Sequence, residues 1–247
     1  MRTIAVVQAK GGVGKSTVAV HLACGLADGG RETILIDLDP SRGASECLGV
    51  ESERGRVDLW DVLNGRAELL QAVVPVPGVS KLRVVPHGVA SYEALMRSLL
   101  RLRVVLAPLR RSNVEYVILD TPPSWSPSTA RALAAADEAL AVTEPRTLSL
   151  QALGDQMRLI EETRARDNPA LRLLGIVPNR VMRTRLARSS IDHLRASYPG
   201  RVLPSIRESA RIAECPQYRM PVSRYAPQSA AAHDFDSLTR AVIRLTA

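Results

Sequence analysis

Residues 8–17 read Gln-Ala-Lys-Gly-Gly-Val-Gly-Lys-Ser-Thr, after a short β-branched run at 4–7 and before a helical pattern at 15–28. That context limits what the chain can become. Gly11, Gly12 and Gly14, with Val13 among them, let the backbone turn sharply and point its N–H groups inward. The positive end of the following helix completes an anion cradle, and a strand–loop–helix unit of this kind belongs to an α/β fold. Within the cradle, Lys15 is spaced to reach the β- and γ-phosphates of a nucleoside triphosphate. The Ser16 hydroxyl is placed to ligate Mg²⁺, and Thr17 to hold the α-phosphate. Lysine usage supports this reading: the only lysines are Lys10, Lys15 and Lys81, against thirty arginines, and two of the three fall in this loop. A compact ammonium suits a crowded phosphate site better than a broad guanidinium.

The rest of the chain repeats the alternation. Apolar runs at 33–38, 82–85, 116–119, 140–142 and 173–177 predict buried strands. Helical patterns lie between and after them at 128–136, 147–166 and 187–197, and Gly29-Gly30 stops the first helix. Together they predict an α/β fold of the P-loop NTPase type, a mostly parallel twisted sheet with helices on both faces. The segment 75–80 reads as a turn-rich connection, and 1–247 as a single domain with no N-terminal helix-turn-helix domain. Apolar residues make up 46% of the sequence, with no run near the roughly 18 residues of a membrane span. The N-terminus reads as a buried strand and not as a secretory signal. Cys24, Cys47 and Cys215 form no CxxC pair, which points to a reducing cytosol and no cysteine-based metal site.

Two strand ends supply carboxylates. Alternation puts Asp37 and Asp39 on one side of the second strand's carboxyl end, where ligands of open α/β sheets bind. The run Val117-Ile118-Leu119-Asp120 ends in an aspartate suited to hold a water ligand of Mg²⁺, an ion that keeps several waters.

These motifs resemble the ParA/MinD family of partitioning and positioning ATPases. Lys10-Gly11-Gly12 opening the loop matches that family's deviant Walker A motif. Asp37-Leu38-Asp39-Pro40 matches its DxDP motif, and Asp120-Thr-Pro-Pro-Ser124 its Walker B and second switch. The resemblance implies that Lys10 crosses a dimer interface to the partner's ATP, and that Asp39 orients or activates the attacking water, also reaching the metal through water. Asp37 is expected to support the loop or the metal's water shell. The family usually continues DxDPQGN, where this chain has Ser41-Arg42-Gly43, and Trp125-Ser126-Pro127 follows the second switch in place of an early glycine. The sequence 175–180 looks like the family's adenine-reading strand end, with Asn179 offering an amide donor and acceptor. Segments 203–207 and 214–222 match its region over the base loosely.

Charge adds a further clue. The formal net charge is +8, and residues 180–224 hold ten arginines against Asp192, Glu208 and Glu214. The resemblance implies that basic residues here, among them Arg183, Arg185, Arg188, Arg195 and Arg211, bind duplex DNA without sequence preference when two ATP-bound copies form a homodimer. It also implies a centromere-bound ParB-type partner that stimulates slow hydrolysis, and a cytoplasmic, nucleoid-associated location. A membrane-associated MinD-like ATPase is the alternative. The final helical pattern at 234–246 has only Arg240 and Arg244 as basic residues, so packing on the domain is expected there and no membrane contact. A metabolic ligase or cluster-transfer ATPase on the same fold is a third reading, which needs a substrate pocket or paired cysteines.

Overall fold

Apolar runs without a polar face must be covered on both sides, and this requirement builds the molecule. The computed structural model describes residues 1–8, 11–50, 56–88, 102–123 and 126–246. The strands are β1 (Arg2–Val7), β2 (Thr33–Asp37), β3 (Val74–Val76), β4 (Val79–Val85), β5 (Tyr116–Asp120), β6 (Glu138–Thr143) and β7 (Arg172–Pro178). They form one sheet in the order β3-β4-β2-β5-β1-β6-β7. Every pairing is parallel except that of β3 with β4. The described helices are α1 (Lys15–Asp28), α2 (Gly43–Cys47), α3 (Leu59–Leu63), α4 (Leu102–Leu106), α5 (Pro127–Ala135), α6 (Thr147–Arg166), α7 (Arg185–Ser197), α8 (Ala210–Tyr218), α9 (Val222–Tyr225) and α10 (Ala230–Thr246).

Alternation along the strands feeds two cores. Ile4, Val6, Leu35, Val84, Ile118 and Leu140 pack toward α1, α9 and α10. Their neighbours Ala5, Val7, Ile34, Ile36, Val117 and Leu119 pack toward α3, α4, α5 and α6 on the other face. The last helix buries Phe235, Leu238 and Val242, and Tyr116 Oη lies 2.6 Å from Thr246 Oγ1. Most of its apolar stripe therefore packs on the domain, while Leu245 stays exposed.

The expected strands and long helices are present within a few residues. Helix α1 spans the expected residues and stops at Gly29-Gly30, with Gly30 N–H donating to Ala27 O and Arg31 N–H to Leu26 O. The segment 75–80 corrects the expectation. It is a hairpin in which β3 runs antiparallel to β4, turning through Gly78 at φ 74. Pro75 cannot donate to a ladder, and the sheet edge is the place where that is tolerated. At the opposite edge β7 is covered by the strand-like segment around Val202. Ile176 N–H donates to Arg201 O, and Leu203 N–H returns to Ile176 O.

Candidate active site

Strands β1, β2 and β5 end side by side, and their register decides what stands there. Asp120 is the cross-strand partner of both Val6 and Asp37, so two carboxylates meet beside the loop that follows β1. Gly14 caps α1 at φ 82, and a Cβ on it would lie 2.4 Å from Asn179 Nδ2. Both the turn and the close approach therefore need glycine. Val13 is buried beneath the loop, whereas Gly11 and Gly12 are exposed. Lys10 lies outside the described residues, as do Ser124 and Trp125.

Lys15, Asp37, Asp39 and Asp120 are all buried. Lys15 Nζ lies 2.6 Å from Asp120 Oδ1 and 3.6 Å from Asp39 Oδ2, and donates to Ser16 Oγ at 3.3 Å. One ammonium thus sits among three buried carboxylates and contacts two of them. The excess shows in the proton affinities. Burial, then the charge of Asp120, pushes the Asp37 carboxyl up to about 7, against hydrogen bonds from Ser45 and Asp39. Burial also raises Asp120, against the pull of Lys15.

Asp37 holds the following loop. Its Oδ2 accepts from Ser45 N at 2.9 Å and Ser45 Oγ at 2.7 Å, and its Oδ1 accepts from Asp39 N. Asp39 Oδ1 accepts from Ser41 N at 2.9 Å, which turns its other oxygen toward Lys15. Asp120 Oδ2 is buried without a hydrogen-bond partner. An orphaned carboxylate oxygen beside the Ser16 hydroxyl, in a pocket with surplus negative charge, fits a hydrated Mg²⁺. Ser16, Asp120 and Asp39 are the residues available to hold it.

The end of β7 closes the loop from above. Asn179 Nδ2 donates to Val13 O at 2.7 Å, and Arg180 Nη1 donates to Gly12 O at 3.0 Å. Arg180 also pairs with Glu144 at 3.2 Å and Glu208 at 3.4 Å. A cavity of about 380 Å³ opens between Gly14, Thr17 and Asn179 on one side and Ala210, Ile212 and Pro216 on the other. A polar amide over an apolar wall is the arrangement a nucleobase requires.

His87 was missed in the sequence. It is buried two residues past the end of β4, with Nδ1 unpartnered, and burial lowers its pKa while the nearby charge of Asp39 opposes this. Its position at a strand's carboxyl end was the available signal.

The basic block divides. Arg195 pairs with Asp192, Arg207 with Asp234, and Arg211 with Glu214. Arg183, Arg185 and Arg188 are exposed and make no ion pair among the described residues. Three of this half's arginines without an ion pair among the described residues thus gather at the entry to α7.

Comparison with known proteins agrees with this geometry. An AAA domain family model matches residues 1–173. The chain is 37% identical over 246 residues to the chromosome-partitioning ATPase Soj of Thermus thermophilus, covering 98% of this chain and 96% of the relative. The fold matches the cell division ATPase MinD of Pyrococcus furiosus with TM-score 0.84 and 27% identity, covering 99% of both chains. It matches cobyrinic acid a,c-diamide synthase from Mycobacterium smegmatis, solved with an ATP analogue and magnesium, with the same score and identity over 99% of this chain and 94% of the other. A glycine cradle with its lysine, paired strand-end aspartates and this similarity converge on one conclusion: the chain is an ATP-hydrolysing, Mg²⁺-using member of the ParA/MinD family of P-loop ATPases, on its ParA/Soj side.

Proposed function

We propose that this ATPase partitions DNA. ATP closes two copies face to face, the closed dimer holds duplex DNA without reading its sequence, and a ParB-type partner stimulates hydrolysis and release. The observation that carries the reading is the run of three exposed arginines, Arg183, Arg185 and Arg188, which make no ion pair among the described residues. It begins three residues beyond Arg180, whose guanidinium holds the Gly12 carbonyl. The phosphate loop and the basic surface are thus neighbours along one short stretch of chain.

In this reading each residue has a defined task. Lys15 would turn from Asp120 to the β- and γ-phosphates, leaving the Asp120 carboxylate, with the Ser16 hydroxyl, as the groups that would hold a hydrated Mg²⁺. The backbone of residues 11–14 cradles the phosphates. Mg²⁺ supplies charge neutralisation at the transferring phosphoryl group. Thr17 holds the α-phosphate and Asn179 faces the base. Asp39, fixed by Ser41, orients the attacking water. Lys10 reaches the partner's nucleotide, so that the charge at the reacting phosphoryl group is fully offset only when two copies meet. That dependence couples hydrolysis to dimer formation.

A gel-shift experiment with random-sequence duplex tests the reading, run with ADP, ATP and a non-hydrolysable analogue across salt concentrations. Retardation is expected with ATP and the analogue only, and should weaken steeply as salt rises. Binding that ignores the nucleotide would refute it. Sedimentation with anionic liposomes and no DNA shift would favour the MinD-like alternative.

A further inference from the structure

Glycines let a loop bend around an anion, and the same freedom lets its peptide planes flip, so something must hold them. Two side chains at the end of β7 do so. Arg180 Nη1 donates to Gly12 O at 3.0 Å, and Asn179 Nδ2 donates to Val13 O at 2.7 Å. The peptides are trans and planar, so each N–H points opposite to the C=O it is bonded through. With the Gly12 and Val13 carbonyls drawn toward β7, the N–H groups of Val13 and Gly14 are turned the other way.

We propose that Arg180 is a positioning residue, which presets the phosphate cradle by fixing the peptide plane between Gly12 and Val13. Its backbone is strained to do this. Arg180 has φ 52, a left-handed conformation that glycine, asparagine or aspartate adopts at lower cost. Hydrogen bonds on either side impose it: Asn179 N–H donates to Thr143 O at 2.8 Å, and Val181 N–H to Ile206 O at 3.0 Å. The guanidinium is anchored in turn. Its Nη1 lies 3.2 Å from Oε1 of the buried Glu144, and its Nη2 lies 3.4 Å from Glu208 Oε1. A rigid fork with five donors can serve a carbonyl and two carboxylates together.

The Arg180 side chain is 45% exposed, so it is held by these polar contacts and contributes little packing. Donors fixed before the nucleotide arrives need no reorganisation when it binds. The same contacts tie the two sides of the nucleotide cavity together. Gly12 belongs to the phosphate loop, and Glu208 immediately precedes Ser209, the N-cap of α8 on the base side. The proposal rests on residues 11–17 being the phosphate site. It needs neither DNA nor a partner.

Affinities for AMP and for ADP with magnesium, measured by competition against a fluorescent ADP analogue, test this, because AMP has no β-phosphate for the cradle. Arg180→Asn suits the left-handed backbone, but its side chain is too short to span the reach of the arginine. It should bind ADP about tenfold more weakly, as for a misdirected hydrogen bond to a charged group, and AMP within about twofold of the parent. Arg180→Lys keeps a donor at the same backbone cost, and its ADP affinity should stay within about threefold of the parent. Arg180→Gly replaces the asparagine variant if that chain does not fold. Unchanged ADP affinity, equal losses for AMP and ADP, or a lysine variant as weak as the asparagine one would overturn the proposal. Lys15→Ala is the control. If it too leaves ADP affinity unchanged, the phosphate-loop reading falls together with this proposal. If it weakens ADP while Arg180→Asn does not, the proposal alone falls.

Discussion

Lys15 bears one positive charge among three buried carboxylates, so removing it acts in two ways. Lys15→Ala deletes the contact intended for the phosphates and leaves Asp39 and Asp120 facing an incoming polyanion without compensation. Nucleotide affinity should fall at least a hundredfold, about 3 kcal/mol. Titration with a fluorescent ATP analogue measures this, and affinity within threefold of the parent would refute the loop assignment. Asp39→Ala leaves the cradle intact. Hydrolysis should slow on the order of a hundredfold, as for a lost proton-handling group, while ATP-loaded dimers accumulate in gel filtration. An unchanged rate of phosphate release would remove Asp39 from the mechanism. Both residues were legible in the sequence because their motifs are local, a lysine at a set distance from glycines and an aspartate at a strand end. His87 was not, because its significance comes from neighbours distant in sequence, which no spacing along the chain records.

Helix α1 shows how an element is locked to its surroundings. His21 is buried and stacked on Phe235, with ring centroids 4.3 Å apart. Its Nδ1 donates to Thr17 O at 2.7 Å and its Nε2 accepts from Val222 N at 3.0 Å, an arrangement open only to the neutral ring. Burial lowers its pKa from 6.5 to about 4. The unfolded chain takes up this proton near pH 6.5, so the neutral ring's contribution is complete above that pH and is lost as pH falls toward 4. The loss amounts to about 3 kcal/mol. Asp37 acts in the opposite sense. With its carboxyl raised to about 7, the folded chain keeps that proton as pH falls below 7 and gains stability until the unfolded carboxyl also protonates near 4. Comparing urea midpoints of the parent and His21→Leu between pH 7 and 4 isolates the histidine. The parent should lose about 3 kcal/mol more than the variant, and parallel curves would show that the ring titrates normally. Among the elements themselves, length decided what could be read. The central strands show as apolar runs, and α6 extends over many turns. Helices α2 and α3 have five residues each, too few to establish a period. Strand β3 is only three residues long with Pro75 in the middle, and α8 contains Pro216, so both present turn signals in place of regular patterns.

At the scale of the whole molecule, composition placed the basic character in one half and the structure narrowed it. Of the five arginines singled out, Arg195 and Arg211 are engaged with acidic neighbours, and Arg183, Arg185 and Arg188 make no ion pair among the described residues. Reversing those three to glutamate should weaken duplex binding by at least about 1 kcal/mol and flatten its dependence on salt. Fluorescence anisotropy at several ionic strengths measures both quantities. Unchanged binding would move the DNA surface elsewhere, and an unchanged salt slope would mean these side chains release no counterions.

The two borders of the sheet have a consequence for how copies of this chain can meet. One border is a three-residue strand with a proline at its centre, and the other is already occupied by the segment around Val202. Among the described residues neither offers a long free ladder for a second chain to continue, which disfavours edge-to-edge pairing. Contact between copies is thereby left to side-chain surfaces and not to the pairing of backbones.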